Sequence, residues 1–183
     1  MNVFFCDIVG TINGYENNKE IRNEKLKTLI NLLSNLCNDE PIYFCFISSD
    51  NYKFVKKYID ELKNLLDGTN VISNIHYSND LIDDNGMKYE NPYFSKWEQI
   101  DSFIKDNRYI KNLYYAEDSI INLQMTEELL SEEHENIEYI QFIPGLEINE
   151  HNIIGLKEKG IDSLINILTK YINEYKIKEQ KKL

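Results

Sequence analysis

The chain has 183 residues, of which 42% are hydrophobic, so it is long enough to form one domain with a buried core and too apolar to be wholly disordered. Its 31 acidic and 20 basic residues give a formal net charge of −11. This charge argues against a nucleic-acid-binding protein, which needs clustered Lys and Arg, and against docking on an anionic membrane. We therefore expect neither nucleic acid nor a membrane as a partner.

In chain order the apolar patterns predict a strand at 3–8, a helix at 21–36, a strand at 41–47, a helix at 51–66, a strand at 70–77, a loop or small hairpin at 79–93, a helix at 95–106, a strand at 112–116, a helix at 120–133, a strand at 137–143 and a helix at 160–175. Ser95 is predicted to be the N-cap of the helix at 95–106, with Glu98 completing a capping box. Residues 176–183 are polar and are predicted to form a tail.

The alternation of strands and helices predicts a three-layer α/β/α sandwich around a mostly parallel, Rossmann-like sheet of about five strands. Strands in such a sheet are buried on both faces, which explains their continuous apolar runs. We predict a single domain over 1–175. Sites in these folds lie at the carboxyl ends of the strands, so the residues that follow each strand are the candidates for chemistry.

The cysteines and the first ten residues indicate the cellular compartment of the protein. Cys6, Cys37 and Cys45 are odd in number, and two of them lie in apolar runs, so buried reduced thiols are expected. The N-terminal MNVFFCDIVG lacks the basic segment and the long apolar run of a signal peptide. These features predict a cytoplasmic protein.

Polar residues follow the first two strands. Asp7 ends the first strand, Gly10 allows a tight turn, and the Thr11 hydroxyl is a candidate contact for a phosphate. Ser48 ends the second strand and offers a hydroxyl donor to the same crevice. Taken singly, an acid or a serine at such a position is more typical of a turn or a helix cap.

Charged residues appear again before and after the fourth strand. Lys96 opens a helix, and Glu117 and Asp118 follow the strand, with Asn122 four residues later. A lone lysine is typical of a solvated surface, and paired acids are typical of a helix cap. The conjunction favours a site, because a parallel sheet brings these points to one edge.

These segments resemble the motifs of haloacid dehalogenase (HAD) superfamily phosphohydrolases. VFFCDIVGTI at 3–12 is similar to the first motif of the family, an apolar strand followed by DxDGT. IYFCFIS at 42–48 is similar to the second motif, an apolar strand that ends in Ser or Thr. The lysine at a helix start corresponds to Lys96 in PYFSKWEQI, and DDxxxN corresponds to LYYAEDSIIN at 113–122. The resemblance covers roughly residues 1–145. A receiver domain is disfavoured, because it carries its paired acids after the first strand.

The resemblance implies a nucleophile and a metal site. Asp7 would attack phosphorus and form an aspartyl-phosphate. Mg²⁺ would be held by the Asp7 carboxylate, the Val9 backbone carbonyl, Asp118 and waters, with Glu117 reaching the metal directly or through water. Such a sparse oxygen site suits Mg²⁺.

The resemblance also implies groups that bind the phosphoryl oxygens. Ser48 and Lys96 would bind them, together with Thr11, and Lys96 would offset the charge around Asp7. Asn122 would orient Lys96 or an acid of the fourth motif. The rate would come mostly from positioning and charge stabilisation.

Val9 is the sharpest departure from the family pattern, because HAD phosphatases carry a general acid/base Asp there. Such a group is typically worth ~10²–10⁴ in rate, so the chain is expected to be slow or to use substrates with good leaving groups. The alternative is a catalytically impaired HAD-fold protein that acts by binding or assembly. Phosphonate-cleaving or dehalogenating chemistry is a third, less favoured reading.

The intervals between the motifs are too short for a full cap domain. Residues 12–40 hold a flap and one helix, and the stretch before Lys96 holds one helix, one strand and the 79–93 loop. A capless member with an open site is therefore expected. Its partners would be a phosphorylated small molecule or macromolecule, and a homo-oligomer is compatible with such a site.

Overall fold

A computed structural model describes residues 1–8, 10–12, 18–37, 40–48, 52–67, 69, 71–77, 81–82, 88–89, 95–107, 109–143, 147–149, 152–154 and 160–180. The elements are, in chain order, β1 Asn2–Asp7, α1 Lys19–Leu36, β2 Ile42–Ser48, α2 Tyr52–Leu65, β3 Val71–Tyr77, β4 Leu81–Ile82, β5 Lys88–Tyr89, α3 Lys96–Asp106, β6 Asn112–Ala116, α4 Ile120–Glu133, β7 Glu138–Phe142, β8 Glu147–Asn149, β9 Asn152–Ile154 and α5 Ile161–Gln180.

Five strands form one parallel sheet in the order β3-β2-β1-β6-β7. In the middle of the sheet Phe5 lies opposite Cys45 on one side and Tyr115 on the other. The chain runs outward from β1 to β3 and then returns to add β6 and β7 on the other side of β1. The order therefore reverses between β1 and β6, which is where open α/β sheets form their ligand crevice.

Helices cover both faces of the sheet, which gives the predicted three-layer α/β/α sandwich. Because successive side chains of a strand point to opposite faces, Phe4 and Cys6 pack with α1, α2 and α5, while Val3 and Phe5 pack with α3 and α4. The Phe4 ring stacks on Phe44 in the neighbouring strand, with centroids 5.8 Å apart. The apolar runs predicted as buried strands thus supply both halves of the core.

Most predicted elements lie within two residues of those observed, and β6 and α4 coincide with their predictions. The capping box is present, since the Ser95 side chain accepts a hydrogen bond from the Glu98 amide and the Glu98 carboxylate accepts one from the Ser95 amide. The hairpin β4–β5 lies inside 79–93, whereas the hairpin β8–β9 was not predicted. The three cysteines are free and buried, as expected.

The end of α5 corrects one prediction. The helix runs to Gln180, five residues past its predicted end, so most of the predicted polar tail is helical. Polarity alone does not stop a helix, and the segment 176–180 consists of Lys, Ile, Glu and Gln with no Gly or Pro to break it. Among the described residues no helix is both long enough and apolar enough to cross a bilayer.

A buried ion pair ties α1 to α2. The Arg22 guanidinium donates to both oxygens of Glu61, with Nε 2.6 Å from Oε2, and each side chain is 9% exposed. Breaking a buried pair by removing one partner leaves an uncompensated charge in the interior. The pair therefore fixes how these two helices meet on the sheet.

We predict that Glu61→Ala lowers the free energy of unfolding by about 3–5 kcal/mol, because the buried Arg22 guanidinium loses the carboxylate to which it donates two hydrogen bonds. Urea denaturation at neutral pH measures the loss. Asp60→Ala is the matched control on the same helix, since its ion pair with Lys56 is half exposed and should be worth less than about 1 kcal/mol. Equal losses in the two variants would contradict the structural role of the Arg22–Glu61 pair.

Candidate active site

Asp7 is the last residue of β1 and lies at the carboxyl edge of the sheet. It shares a strand face with Val3 and Phe5, so it belongs to the side covered by α3 and α4. Asp7 is only 2% exposed, and the Thr11 hydroxyl donates a hydrogen bond to its Oδ2 at 3.3 Å. The sequence-predicted phosphate contact, Thr11, therefore hydrogen-bonds the candidate nucleophile.

Lys96 is the first residue of α3, and the capping box at Ser95 and Glu98 fixes where this helix begins. Its Nζ lies 2.6 Å from Asp7 Oδ1 and 2.8 Å from Glu117 Oε2. A cation at a helix N-terminus faces the positive end of the helix dipole. The two carboxylates, and not the helix, therefore stabilise the charge at this position.

Glu117 follows β6 and is completely buried. Its Oε2 accepts hydrogen bonds from Lys96 and from the Tyr115 hydroxyl, the latter at 2.7 Å, and its Oε1 accepts one from the Ser119 amide at 3.0 Å. Three donors thus share its two oxygens. They hold the carboxylate in one orientation at the start of α4.

Asp118, which is half-buried, reaches the cluster from the same loop. Gly10 lies against it with a φ of +83°, and a Cβ at Gly10 would overlap the Asp118 carboxylate, with the Cγ atom 2.8 Å away. A side chain at position 10 is therefore excluded both by the backbone conformation and by space. The glycine lets the loop after β1 approach the loop after β6.

The pKa values of Asp7 and Lys96 are both shifted in this cluster. Burial and then the neighbouring Glu117 carboxylate raise the pKa of Asp7 to about 7, although Lys96 opposes the shift. Burial lowers the pKa of the Lys96 ammonium, but Asp7 and Glu117 outweigh it and hold that pKa above its usual value. Lys96 therefore stays charged, and Asp7 lacks enough positive charge around it to ionise as readily as an exposed aspartate.

The donor set fits a divalent cation. One carboxylate oxygen from each of Asp7, Glu117 and Asp118 lies within 4.8 Å of the others. Within the described part of the chain the Lys96 ammonium contacts two of these carboxylates, those of Asp7 and Glu117. Crowded carboxylates repel one another unless a cation neutralises them. Oxygen ligands of this kind are those that Mg²⁺ takes in proteins.

The remaining predicted site residues are placed as follows. Ser48 ends β2 and is 1% exposed, and its main-chain carbonyl accepts a hydrogen bond from Gln99 Nε2 at 3.4 Å. Asn122 lies in the first turn of α4, and its main-chain carbonyl accepts a hydrogen bond from the Thr126 hydroxyl. Within the described part of the chain Asn122 does not hydrogen-bond Lys96. Val9, the predicted carbonyl ligand, lies outside the described residues.

Sequence reasoning missed two residues that contact predicted site residues: Tyr115, which donates to Glu117, and Gln99, which donates to the Ser48 carbonyl. The apolar run at 112–116 does not distinguish Tyr115 from a core aromatic residue. Its spacing of two residues from Glu117, however, puts both side chains on one face of the strand. Gln99 follows Lys96 by three residues, the spacing that places two helical side chains side by side. Both signals are present in the sequence, but each requires the positions of Glu117 and Lys96 to be known first.

A second group of candidate ligands lies on the outer helices. Asp101, Glu133 and His134 bring one ligand atom each within 4.8 Å of the others. Lys105 already pairs with Asp101 at 2.5 Å and approaches Glu133 at 3.9 Å. The lysine supplies the positive charge that this cluster needs, so it is a surface ion-pair network.

A cavity of about 170 Å³ lies at the opposite, amino-terminal edge of the sheet, beside Asn2 and Asn112. Cys37, Tyr114 and Tyr171 also line it, and none of its lining residues is a predicted site residue. Because ligands of parallel α/β sheets bind at the carboxyl edge, the Asp7 cluster is the candidate active site.

No protein-family model matches the chain, and no curated protein matches it. Similar solved structures include two of the HAD domain of effector protein Lem4 from Legionella pneumophila, one of them an inactive mutant. The mutant has a TM-score of 0.49 and 12% identity, with 79% of this chain and 86% of that chain covered. The second has a TM-score of 0.48 and 13% identity, with 79% and 87% covered. Similarity this low carries no weight on function, which has to be inferred from the site.

We predict that Gly10→Ala weakens the site as well as the fold. The positive φ disfavours a side chain, which costs roughly 1–3 kcal/mol, and the new Cβ pushes the Asp118 carboxylate away from Asp7. Urea denaturation measures the first effect, and calorimetric titration with Mg²⁺ measures the second. Gly160→Ala, which also has a positive φ, is the control that should lose stability while keeping its Mg²⁺ affinity. An unchanged Mg²⁺ affinity in Gly10→Ala would show that the glycine serves the fold alone.

Proposed function

We propose that the chain is a Mg²⁺-dependent, HAD-like phosphohydrolase or phosphotransferase that works through an aspartyl-phosphate on Asp7. The observation that supports it most is the contact of the Lys96 ammonium with the Asp7 carboxylate, beside Asp118, at the carboxyl end of the central strand. A buried acid, a lysine paired with it and a cation-binding group are the parts that phosphoryl transfer to a carboxylate requires.

In the proposed reaction an Asp7 oxygen attacks the phosphorus of a phosphate monoester. The bond to the ester oxygen breaks, and the leaving group takes up a proton from water. Water then attacks the phosphorus of the acyl phosphate, which releases phosphate and restores the Asp7 carboxylate. An acceptor alcohol in place of water would make the same step a phosphotransfer.

The residues of the cluster have separable roles in this proposal. Lys96 holds Asp7 in place and offsets the negative charge that the incoming phosphate adds. Asp7 and Asp118 would hold the cation, which when bound neutralises phosphoryl oxygens and keeps Asp7 ionised. Ser48, at the neighbouring strand end, is a candidate donor to the phosphoryl group, and Thr11 orients Asp7.

Val9 defines the substrates to be tested first. A valine can neither protonate a leaving oxygen nor activate water, so turnover should depend on the leaving group. An aryl phosphate, whose leaving group needs little protonation, is the appropriate probe. The class of natural substrate proposed is a phosphorylated small molecule or macromolecule reached through a site without a full cap.

We predict that the protein hydrolyses an aryl phosphate with Mg²⁺ and that Asp7→Asn lowers this turnover by more than about 10³-fold, because the amide is not a nucleophile. Release of inorganic phosphate measures the rate. Asp101→Asn, an acid in the outer helices, is the matched control and should keep wild-type turnover. Activity that survives in Asp7→Asn would refute the assignment of the nucleophile.

Val9→Asp tests whether the missing acid limits the rate. The variant should raise turnover of an alkyl phosphate toward the ~10²–10⁴ that a positioned acid/base contributes, and should change turnover of the aryl phosphate much less. If neither the wild type nor Val9→Asp releases phosphate from any ester, a role in binding or assembly would account for this protein better than catalysis.

We predict that Mg²⁺ binds the protein and that Asp118→Asn weakens its affinity at least about tenfold, because a ligand and a negative charge are lost together. Calorimetric titration of the folded protein measures the affinity without any substrate. Asp101→Asn again serves as the control, since it removes the same charge from the other acidic cluster. Equal affinities for wild type and Asp118→Asn would remove Asp118 from the ligand set.

A further inference from the structure

Tyr115 lies beneath the catalytic cluster and is completely buried. Its hydroxyl donates to Glu117 Oε2 at 2.7 Å, and the same oxygen accepts a hydrogen bond from Lys96 at 2.8 Å. Lys96 in turn contacts Asp7 at 2.6 Å. Four side chains, from β1, α3, β6 and the loop after β6, thus form one continuous chain of hydrogen bonds that ends at the candidate nucleophile.

We propose that Tyr115 is a positioning residue, which fixes Glu117 so that its carboxylate holds the Lys96 ammonium against Asp7. Its effect on turnover rests on the proposed function, whereas its effect on Lys96 does not. Tyr115 touches no substrate in this scheme and acts only through Glu117.

The surroundings of Tyr115 suit this role. Its ring packs edge-on against Phe5, with centroids 6.5 Å apart, and Phe5 packs in the same way against Phe103 of α3. The hydroxyl is therefore carried by a ring with no room to turn away. Burial and then the Glu117 carboxylate raise the pKa of Tyr115 well above its usual value, so the hydroxyl keeps its proton and remains a donor.

The proposal assigns Glu117 a task other than binding the cation. Lys96 and Tyr115 both occupy Oε2, and the Ser119 amide occupies Oε1. A carboxylate has about four lone-pair sites, and these three bonds take up three of them on Glu117, whereas Asp7 accepts two hydrogen bonds, from Lys96 and Thr11. A cation would have to displace a buried ammonium or hydroxyl from Glu117 Oε2 or crowd the Ser119 amide on Oε1. Asp7 and Asp118 are then left as the carboxylate ligands, and Glu117 as the residue that keeps Lys96 in place.

Lysine reactivity tests the positioning directly. Tyr115→Phe removes one oxygen and keeps the ring, so we expect the rate at which an amine-directed acetylating reagent modifies Lys96 to rise several-fold. Tyr114→Phe is the matched control, because Tyr114 is the neighbouring buried tyrosine on the opposite face of the sheet and should leave Lys96 unchanged. The exposed Lys105 is the internal standard in each sample, measured by mass spectrometry.

Turnover of the aryl phosphate gives the second measurement. Loss of a hydrogen bond to a charged group should lower kcat about tenfold or more in Tyr115→Phe with KM nearly unchanged. If Tyr115 acts through Glu117, adding Tyr115→Phe to Glu117→Gln should lower kcat no further. Two losses that multiply would indicate that Tyr115 supports the core and not Glu117.

Mg²⁺ titration separates the two acids. Glu117→Gln and Asp118→Asn each remove one negative charge, so long-range electrostatics are matched. We expect the affinity to fall much less in Glu117→Gln than in Asp118→Asn. Equal losses would return Glu117 to the ligand set and contradict its assignment to Lys96.

The outcomes are distinguishable from failure of the proposed function. If the wild type shows no phosphatase activity, the proposed function fails, and the reactivity of Lys96 still decides whether Tyr115 positions it. If the wild type is active and Asp7→Asn is not, but Tyr115→Phe changes neither Lys96 reactivity nor kcat, the proposed function stands and the positioning role is overturned.

Discussion

The ion pairs of the Lys96 ammonium with two buried carboxylates are the interactions on which the carboxyl edge of the sheet depends. Buried charges are costly to desolvate, and their attraction offsets that cost only when the geometry is good and further hydrogen bonds satisfy them. Thr11 on Asp7, and Tyr115 on Glu117, supply such bonds. Without the ammonium, acids from β1 and from the loop after β6 would repel each other where the fold brings them together.

The scaffold makes this arrangement possible, because each charged group is attached to a rigid element. Asp7 ends a strand with hydrogen-bonded neighbours on both sides, and Lys96 starts a helix whose first turn is fixed by a capping box. Lys96 opposes the dipole of its own helix. A residue that breaks a local rule in this way is typical of a functional site, where stability is exchanged for a particular placement of charge.

The fold could be predicted well from the sequence, and the site could be predicted in part. Buried parallel strands are continuous apolar runs, so their ends, and with them Asp7, could be located from local patterns. The capping box of Ser95 and Glu98 located the helix that begins at Lys96. The contact between Gly10 and Asp118 joins residues far apart in sequence, and no local pattern carries it. Tyr115 was missed for a related reason, because hydropathy cannot distinguish a core tyrosine from one whose hydroxyl holds a carboxylate.

Under the proposed function, the two positions at which the sequence differs from the motifs that it resembles, Val9 and Glu117, would affect different parts of the chemistry. A valine at position 9 has no proton to give, so in the proposed reaction the leaving group would have to depart without help from that side chain. Glu117 lengthens an acid by one methylene, and the longer side chain is shared by Lys96, Tyr115 and the Ser119 amide. The described site therefore holds Asp7 in place and balances part of its charge. Under the proposed function, turnover would depend on the substrate more than in a phosphatase that has its own acid.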